Sequence, residues 1–336
     1  MKIVLFEVPK EEQIVFQKLF GNLEISFFEE KLNEDNIEKA LDAEIISVFI
    51  NSEITKNIID KLPNLKFLAT RSTGFDHIDL EYAKTKGIEV SNVPAYGSFT
   101  VAEFAFALLL SLSRKIYNAY HNLRENADFE IATLQGFDLR GKTIGIIGTG
   151  KIGKNVAKIA KGFGMNVLAY DLYPDLIFAK ENVFEYKSLN ELLAQSDVLT
   201  LHTPYSKENH HLINKENISI MKKGVYLINT ARGELIDTDA LIWGLKKGII
   251  AGAGLDVLEG ERELKEEIEI VTSPQKSERV EDYKTLLEDR LLIDLPNVIV
   301  TPHIAFYSKE AEEEILKITV ANISGFLNNN LINLVK

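Results

Sequence analysis

KTIGIIGTGKIGKNVAKIAKGFGMNVLAYD, residues 142–171, is the stretch whose reading decides the fold. The apolar run at 144–147 has the length of a buried strand. Gly148-Thr149-Gly150-Lys151-Ile152-Gly153 follows, then a helix-forming segment, then a second apolar run at 167–170 that ends on Asp171. Each glycine of such a G-x-G-x-x-G has a mechanical task. Gly148 makes the tight turn, Gly150 lets backbone amides approach a pyrophosphate, and Gly153 allows close helix–strand packing. The helix that begins there offers orphan N–H donors and a partial positive charge, which suits a phosphate. Asp171 stands 18 residues after Gly153, at a strand end where a carboxylate can accept from both ribose hydroxyls. A 2′-phosphate beside that charge is repelled, so NAD rather than NADP is the expected cofactor.

The flanks of this stretch set the architecture. With its first strand near residue 143, the nucleotide module leaves a whole domain ahead of it. The 336-residue length fits two domains. Short apolar or β-branched runs at 3–6, 25–28, 45–50, 67–70 and 88–93 alternate with helical spacing, as at 33–41 and 55–62. That rhythm predicts a parallel sheet covered by helices. Further strands are expected at 197–203, 225–230, 254–258 and 297–301, and helices at 238–247 and 308–328. Ser188 and Glu191 form a capping box that opens another helix. Residues 259–295 are densely charged and read as a surface excursion with a helical part. Residues 101–112 are apolar on nearly every side, which predicts a buried helix, placed both between the domains and between two subunits of a homodimer.

Composition narrows the function classes. Apolar residues make up 46% and charged residues 26%, values of a globular protein. The net charge of −12 argues against nucleic acid or an anionic membrane as partner, since phosphate-binding surfaces are basic. With no cysteine, thiol catalysis and disulfides are excluded. The start of the chain lacks a signal-peptide pattern and no run reaches membrane-spanning length, so a cytoplasmic enzyme is expected.

Three strand-end segments carry titratable groups. Arg232 follows Asn229-Thr230-Ala231, and its planar fork suits a carboxylate. His303, in the corner Thr301-Pro302-His303, sits where an imidazole can hand a proton to a developing alkoxide. Asp256, Glu259, Glu261 and Glu263 cluster in GLDVLEGERE, and a glutamate among them beside His303 would stabilise its imidazolium. Ligands of open α/β sheets bind beyond the carboxyl ends of strands, so the three segments can converge. His77, His121, His210 and His211 are adjacent or isolated without metal-ligand spacing, and no metal is expected.

Taken together, VAEFAFALLL, GIIGTGKIG, AYD, LHTPYSKENHHLIN, LINTARGELIDTDAL, the GLDV segment with its glutamates, and VTPHIAFY resemble the D-isomer-specific 2-hydroxyacid dehydrogenases. The resemblance covers nearly the whole chain. RSTGFDHIDL, NVPAYG and PHIAFY are most similar to the D-lactate dehydrogenase branch. It implies two Rossmann-like, doubly wound parallel-sheet domains. One is a discontinuous, flavodoxin-like substrate domain (1–99 and 303–336), and the other an NAD-binding domain (100–302). It also implies Arg232 as catalytic arginine, His303 as acid/base and Glu261 as the glutamate supporting the histidine. Glu261 lies 29 residues after Arg232, as in that branch. The stretch from Glu261 to His303 is longer than the family pattern.

Other roles transfer one at a time. The amides of Thr73 and Gly74 would hold the substrate carboxylate, with Tyr96 nearby. Lys151, Ile152 and Asp171 would meet the pyrophosphate and ribose, His202 would line the cleft, and Thr203, Pro204 and Asn209 the adenine side. Thr230, Ala231 and Asp256 would meet the nicotinamide, with Asp256 on its carboxamide. The implied reaction is NADH-dependent reduction of pyruvate to D-lactate, the cleft closing on hinges near 95–100 and 302–306. A bulkier 2-keto acid, glyoxylate/hydroxypyruvate or phosphoglycerate is the enzymatic alternative. A formate dehydrogenase is disfavoured, because that branch pairs its histidine with glutamine. A non-catalytic, NAD-responsive binding protein is the reading from another class, and the retained Arg232, Glu261 and His303 weigh against it.

Overall fold

The computed structural model describes residues 1–94, 96–261, 264 and 280–335. Glu263 and most of the charged excursion therefore lie outside the described residues. The chain divides into two compact units, Met1–Tyr96 with Ser308–Lys336, and Gly97–Tyr307.

The first unit holds β1 (Lys2–Leu5), α1 (Lys10–Phe20), β2 (Glu24–Phe27), β3 (Ile45–Val48), α2 (Lys56–Asp60), β4 (Phe67–Thr70), α3 (Leu80–Thr85) and β5 (Glu89–Ser91). Its sheet is wholly parallel in the order β2-β1-β3-β4-β5. That order reverses between β1 and β3, as in the flavodoxin-like arrangement. Ile45 to Val48 are buried without exception, because both sheet faces are covered and no polar alternation is needed. The segment expected as a helix near 33–41 is a 3-10 helix, Glu34–Ala40, kinked at Asn36. Asn33 caps its start by accepting from the Asp35 and Asn36 amides. A last helix of the chain, Lys309–Leu327, returns to this unit. Its Ile323 joins the core of Ile3, Leu5, Phe16 and Phe67, and Phe326 stacks on Phe67 at 4.6 Å.

The second unit begins with α4 (Ser98–Ser113) and α5 (Ile116–Asn126). Next come β6 (Thr143–Ile147), α6 (Lys151–Gly162), β7 (Asn166–Tyr170), α7 (Leu176–Glu181), β8 (Glu185–Tyr186), α8 (Leu189–Gln195) and β9 (Val198–Leu201). The unit ends with α9 (Lys215–Ile220), β10 (Val225–Asn229), α10 (Thr238–Lys246), β11 (Ile250–Leu255), α11 (Val280–Asp294) and β12 (Val298–Val300). All seven strands run parallel, in the order β12-β11-β10-β9-β6-β7-β8. The strand expected at 254–258 is β11, which starts and stops earlier; the residues after Leu255 leave the sheet as a loop. Ser188 and Glu191 form the expected capping box on α8.

The apolar helix α4 is buried, as its composition predicts. Ala102, Ala105, Phe106, Leu108, Leu109 and Leu112 belong to a core shared with Val156, Ala157 and Ala160 of α6 and Ile144 and Ile146 of β6. The helix therefore buries much of its apolar surface within its own unit, while Phe99 stays 64% exposed. Among the described residues, no helix is long and apolar enough to cross a membrane.

Candidate active site and nucleotide site

The order of the second sheet reverses between β6 and β9, the place where a doubly wound sheet opens a crevice for a ligand. The glycine loop lies there. Gly148 has φ +92°, and a Cβ on it would stand 2.7 Å from the His202 carbonyl carbon. On Gly153 a Cβ would strike the Gly148 oxygen at 2.0 Å, whereas at Gly150 it would meet nothing within 4 Å. Two glycines thus permit the fold, and the third keeps open space in front of the α6 N-terminus. No side chain caps that terminus, so the amides of Lys151, Ile152 and Gly153 remain available for a phosphate. Asp171, at the end of β7, accepts from the Thr149 amide at 2.6 Å and the Thr149 hydroxyl at 2.8 Å. These residues fit a dinucleotide.

His202 follows β9 and is 8% exposed. Its Nε2 pairs with the Thr200 hydroxyl at 2.8 Å. Among the described residues its Nδ1 and the Thr230 hydroxyl are buried polar atoms without a hydrogen-bond partner, a pattern that suits a ligand bringing its own polar groups. Burial pushes the His202 pKa from 6.5 down to about 3. The folded chain keeps it neutral where the unfolded chain is protonated, so this stability is present above pH 6.5 and lost as pH falls below it. By pH 5 the loss is about 2 kcal/mol. His202→Gln should flatten the difference between urea unfolding at pH 7 and at pH 5, and an unchanged slope would reject this account.

The strands β10, β11 and β12 are neighbours in register, with Asn229 opposite Leu255 and Leu255 opposite Val300. Arg232, Asp256 and His303 therefore leave the sheet at the same end. Buried Asn229 brackets the first corner: its Nδ2 donates to the Arg232 carbonyl at 2.7 Å and its Oδ1 accepts from the Ala231 amide at 3.0 Å. A Cβ at Gly233 would fall 2.0 Å from the Leu258 carbonyl carbon, so only glycine lets this corner lie against the loop after β11.

His303 has φ +55°, an uncommon conformation for a residue with a Cβ. Asp256 holds it there. The Asp256 carbonyl accepts from the His303 amide at 2.9 Å. Its carboxylate accepts from the Thr301 hydroxyl (2.6 Å) and the amides of Ile304 (3.0 Å) and Ala305 (2.7 Å). Burial raises the Asp256 pKa against the pull of these bonds. Three of its roughly four acceptor sites thus latch the histidine corner, a task the sequence reading did not assign to it.

Of the three glutamates weighed from sequence, Glu261 stands beside the histidine, its Oε2 at 2.9 Å from His303 Nδ1. Glu259 turns elsewhere. It accepts from Thr238 at 2.9 Å and lies 2.6 Å from His211 Nε2. His210, His211 and Glu259 place ligand-capable atoms within 4.8 Å of one another, a grouping that spacing did not reveal. Both Glu259 oxygens already engage protein groups, so the cluster braces its turn. Asn209 is also turned inward, donating to the Pro204 carbonyl at 2.7 Å and accepting from the Ser206 amide. It shapes the loop carrying Thr203 and Pro204.

In the first unit, buried Arg71 donates to the Ser47 hydroxyl and to the carbonyls of Phe6 and Glu7. It thereby ties together the ends of three strands beneath the 72–74 loop. Thr73 donates to the Val93 carbonyl and Asn92 to the Thr73 carbonyl, each at 2.8 Å. Tyr96 is half-buried at the edge of this unit. A cavity of about 560 Å³, lined by Glu7, Phe49 and Asn51 among others, opens where the sheet order reverses.

Residues 106–305 match the D-isomer specific 2-hydroxyacid dehydrogenase NAD-binding domain. The chain belongs to this dehydrogenase family. It is an oxidoreductase whose cofactor is NAD. The crystal structure of D-lactate dehydrogenase from Aquifex aeolicus, complexed with NAD and lactic acid, superposes with a TM-score of 0.86 at 39% identity, covering 98% of this chain and 96% of that one. The D-lactate dehydrogenase of Escherichia coli is 38% identical over 96% of both chains. An aromatic 2-oxoacid reductase of Clostridium sporogenes is 42% identical over 84% of this dehydrogenase and 82% of its own length.

Proposed function

We propose that this dehydrogenase reduces pyruvate to D-lactate. The observation that carries the reading is the His303–Glu261 contact of 2.9 Å at the sheet end from which Arg232 also emerges. Bound NADH supplies the hydride that reaches C2 of the keto acid. Arg232 binds the substrate carboxylate through its fork and polarises the C2 carbonyl. Held by Asp256 and oriented by Glu261 at Nδ1, His303 donates a proton from Nε2 to the carbonyl oxygen, giving the hydroxyl. Return of a proton from solvent to Nε2 completes the cycle. In the second unit, Lys151, Ile152 and Asp171 serve the pyrophosphate and ribose; Thr203, Pro204, Thr230 and Ala231 line the remainder of the cofactor. In the first, the Thr73 and Gly74 amides are donors for the carboxylate, among the described residues neither being engaged by a protein acceptor.

The likeness to an aromatic 2-oxoacid reductase favours a bulkier keto acid as the second reading, ahead of glyoxylate/hydroxypyruvate. NADH oxidation followed with pyruvate, hydroxypyruvate, phenylpyruvate and 2-ketoisocaproate decides between them. Pyruvate should give the highest kcat/KM; a larger value for phenylpyruvate would reassign the substrate. The enzyme is proposed to be cytoplasmic, and activity recovered with membranes on fractionation would count against this.

A homodimer is also proposed, with α5 contributing to its surface. None of the residues of α5 is buried. It exposes Ile116, Tyr117, Tyr120 and Leu123, and the segment after it exposes Phe129 and Ile131. Contiguous apolar surface of this kind favours association. Sedimentation of a monomer at micromolar concentration would overturn this assignment.

A further inference from the structure

Asp171 carries more protein contacts than a ribose-binding carboxylate needs. Its Oδ2 receives both the amide and the hydroxyl of Thr149, and its Oδ1 the Tyr173 amide at 2.8 Å. An ionised carboxylate offers about four acceptor sites, so room remains for one donor, on Oδ1, instead of the two ribose hydroxyls expected from sequence.

Behind Thr149 lies a second hydroxyl. Tyr186 Oη is 2.7 Å from Thr149 Oγ1 and accepts from the Asp175 amide at 3.1 Å. Proton counting fixes the direction of this chain. A carboxylate only accepts, so Thr149 uses its single hydroxyl proton on Asp171. Its oxygen must then accept from Tyr186, whose own oxygen takes the Asp175 N–H. Donation runs one way, from Asp175 through Tyr186 and Thr149 to Asp171. The starting point is itself anchored, since Asp175 pairs with Lys154 of α6 at 2.5 Å and caps α7 by accepting from the Phe178 amide. Thr149 is buried, which strengthens bonds that water would otherwise exchange.

We propose that Tyr186 and Thr149 are positioning residues that set the nucleotide preference of this dehydrogenase, by holding Asp171 with Oδ2 turned into the protein and Oδ1 turned to the adenosine ribose. The inference rests on the reading of Asp171 as the ribose partner. A carboxylate fixed in this way accepts from a 2′-hydroxyl and repels a 2′-phosphate. One free to rotate does both less well, so binding of the NAD type weakens while discrimination narrows.

The test is calorimetric binding of ADP-ribose and of 2′-phospho-ADP-ribose, alongside KM for NADH and NADPH. Tyr186→Phe keeps the ring against Phe184, 5.5 Å away, and removes the donor. It should weaken ADP-ribose about 3- to 10-fold, the range one neutral hydrogen bond is worth, and narrow the preference over the 2′-phosphorylated ligand by a similar factor. Thr149→Val should act in the same direction and more strongly, while Thr149→Ser, which retains the hydroxyl, should restore the parent preference. An unchanged preference in both Tyr186→Phe and Thr149→Val overturns the proposal. Asp171→Ala separates the two levels. If it abolishes the preference while the hydroxyl variants do not, the chain of hydroxyls is discarded alone. Should Asp171→Ala also leave the preference intact, the ribose assignment fails with it.

Discussion

Arg232→Ala should lower kcat/KM for the keto acid by roughly 10³- to 10⁵-fold, with KM raised and kcat reduced together. The size follows from what the guanidinium does at two stages. Charge-assisted bonds to a carboxylate contribute about 1.5–3 kcal/mol each, and they are present in ground and transition state alike. Polarising the carbonyl adds a contribution that grows as negative charge develops on the oxygen, usually about 3–4 kcal/mol. Arg232→Lys keeps the charge but not the fork and should recover only about tenfold. The fold should be untouched, because the corner is held by Asn229 through backbone groups of residues 231 and 232 that the substitution leaves in place. Near-normal kinetics in Arg232→Ala would move the substrate site elsewhere.

The second large effect belongs to His303. His303→Gln removes the proton donor while leaving the Asp256 latch, which grips main chain, intact. It should reduce turnover by about 10²- to 10⁴-fold, the usual worth of a general acid, with a much smaller change in KM. Glu261→Gln makes the coupled prediction. The carboxylate stands 2.9 Å from Nδ1 and both side chains are about three-quarters buried, so it fixes the orientation of the ring that must donate from Nε2. Glu261→Gln should lower kcat by about 10-fold, the worth of one hydrogen bond to a charged group, with KM little changed. An unchanged kcat in Glu261→Gln would mean that another group positions the histidine.

What the sequence disclosed, and what it withheld, follows from the range of the interactions. The glycine loop was legible because Gly148, Gly150 and Gly153 act on atoms a few residues away, and strand ends were legible from short apolar runs. Arg232 and His303 stood out by their place directly after such runs. The pairing of Glu261 rather than Glu259 with the histidine depends on how the loop after β11 lies beside the end of β12, which no local pattern encodes; family resemblance supplied it. An all-round apolar helix such as α4 announces burial but not the core that receives it. Thr149 and Tyr186 were passed over for a related reason. Tyr186 sits on a two-residue edge strand, 15 residues beyond Asp171, and only folding brings its hydroxyl to the loop. Asp256 was noticed, but its grip on the Thr301–Ala305 corner is a tertiary fact.

The return of Lys309–Leu327 to the first unit has a consequence for biosynthesis. As the chain emerges from the ribosome, residues 97–307 form an uninterrupted body that can condense as soon as it is clear of the exit tunnel. The earlier-made residues 1–96 must wait, since Ile3, Leu5 and Phe67 find Ile323 and Phe326 only after residues 309–327 have been made. Residues 1–96, though made before the second unit, are thus completed after it, and in that interval their apolar strands are exposed to aggregation.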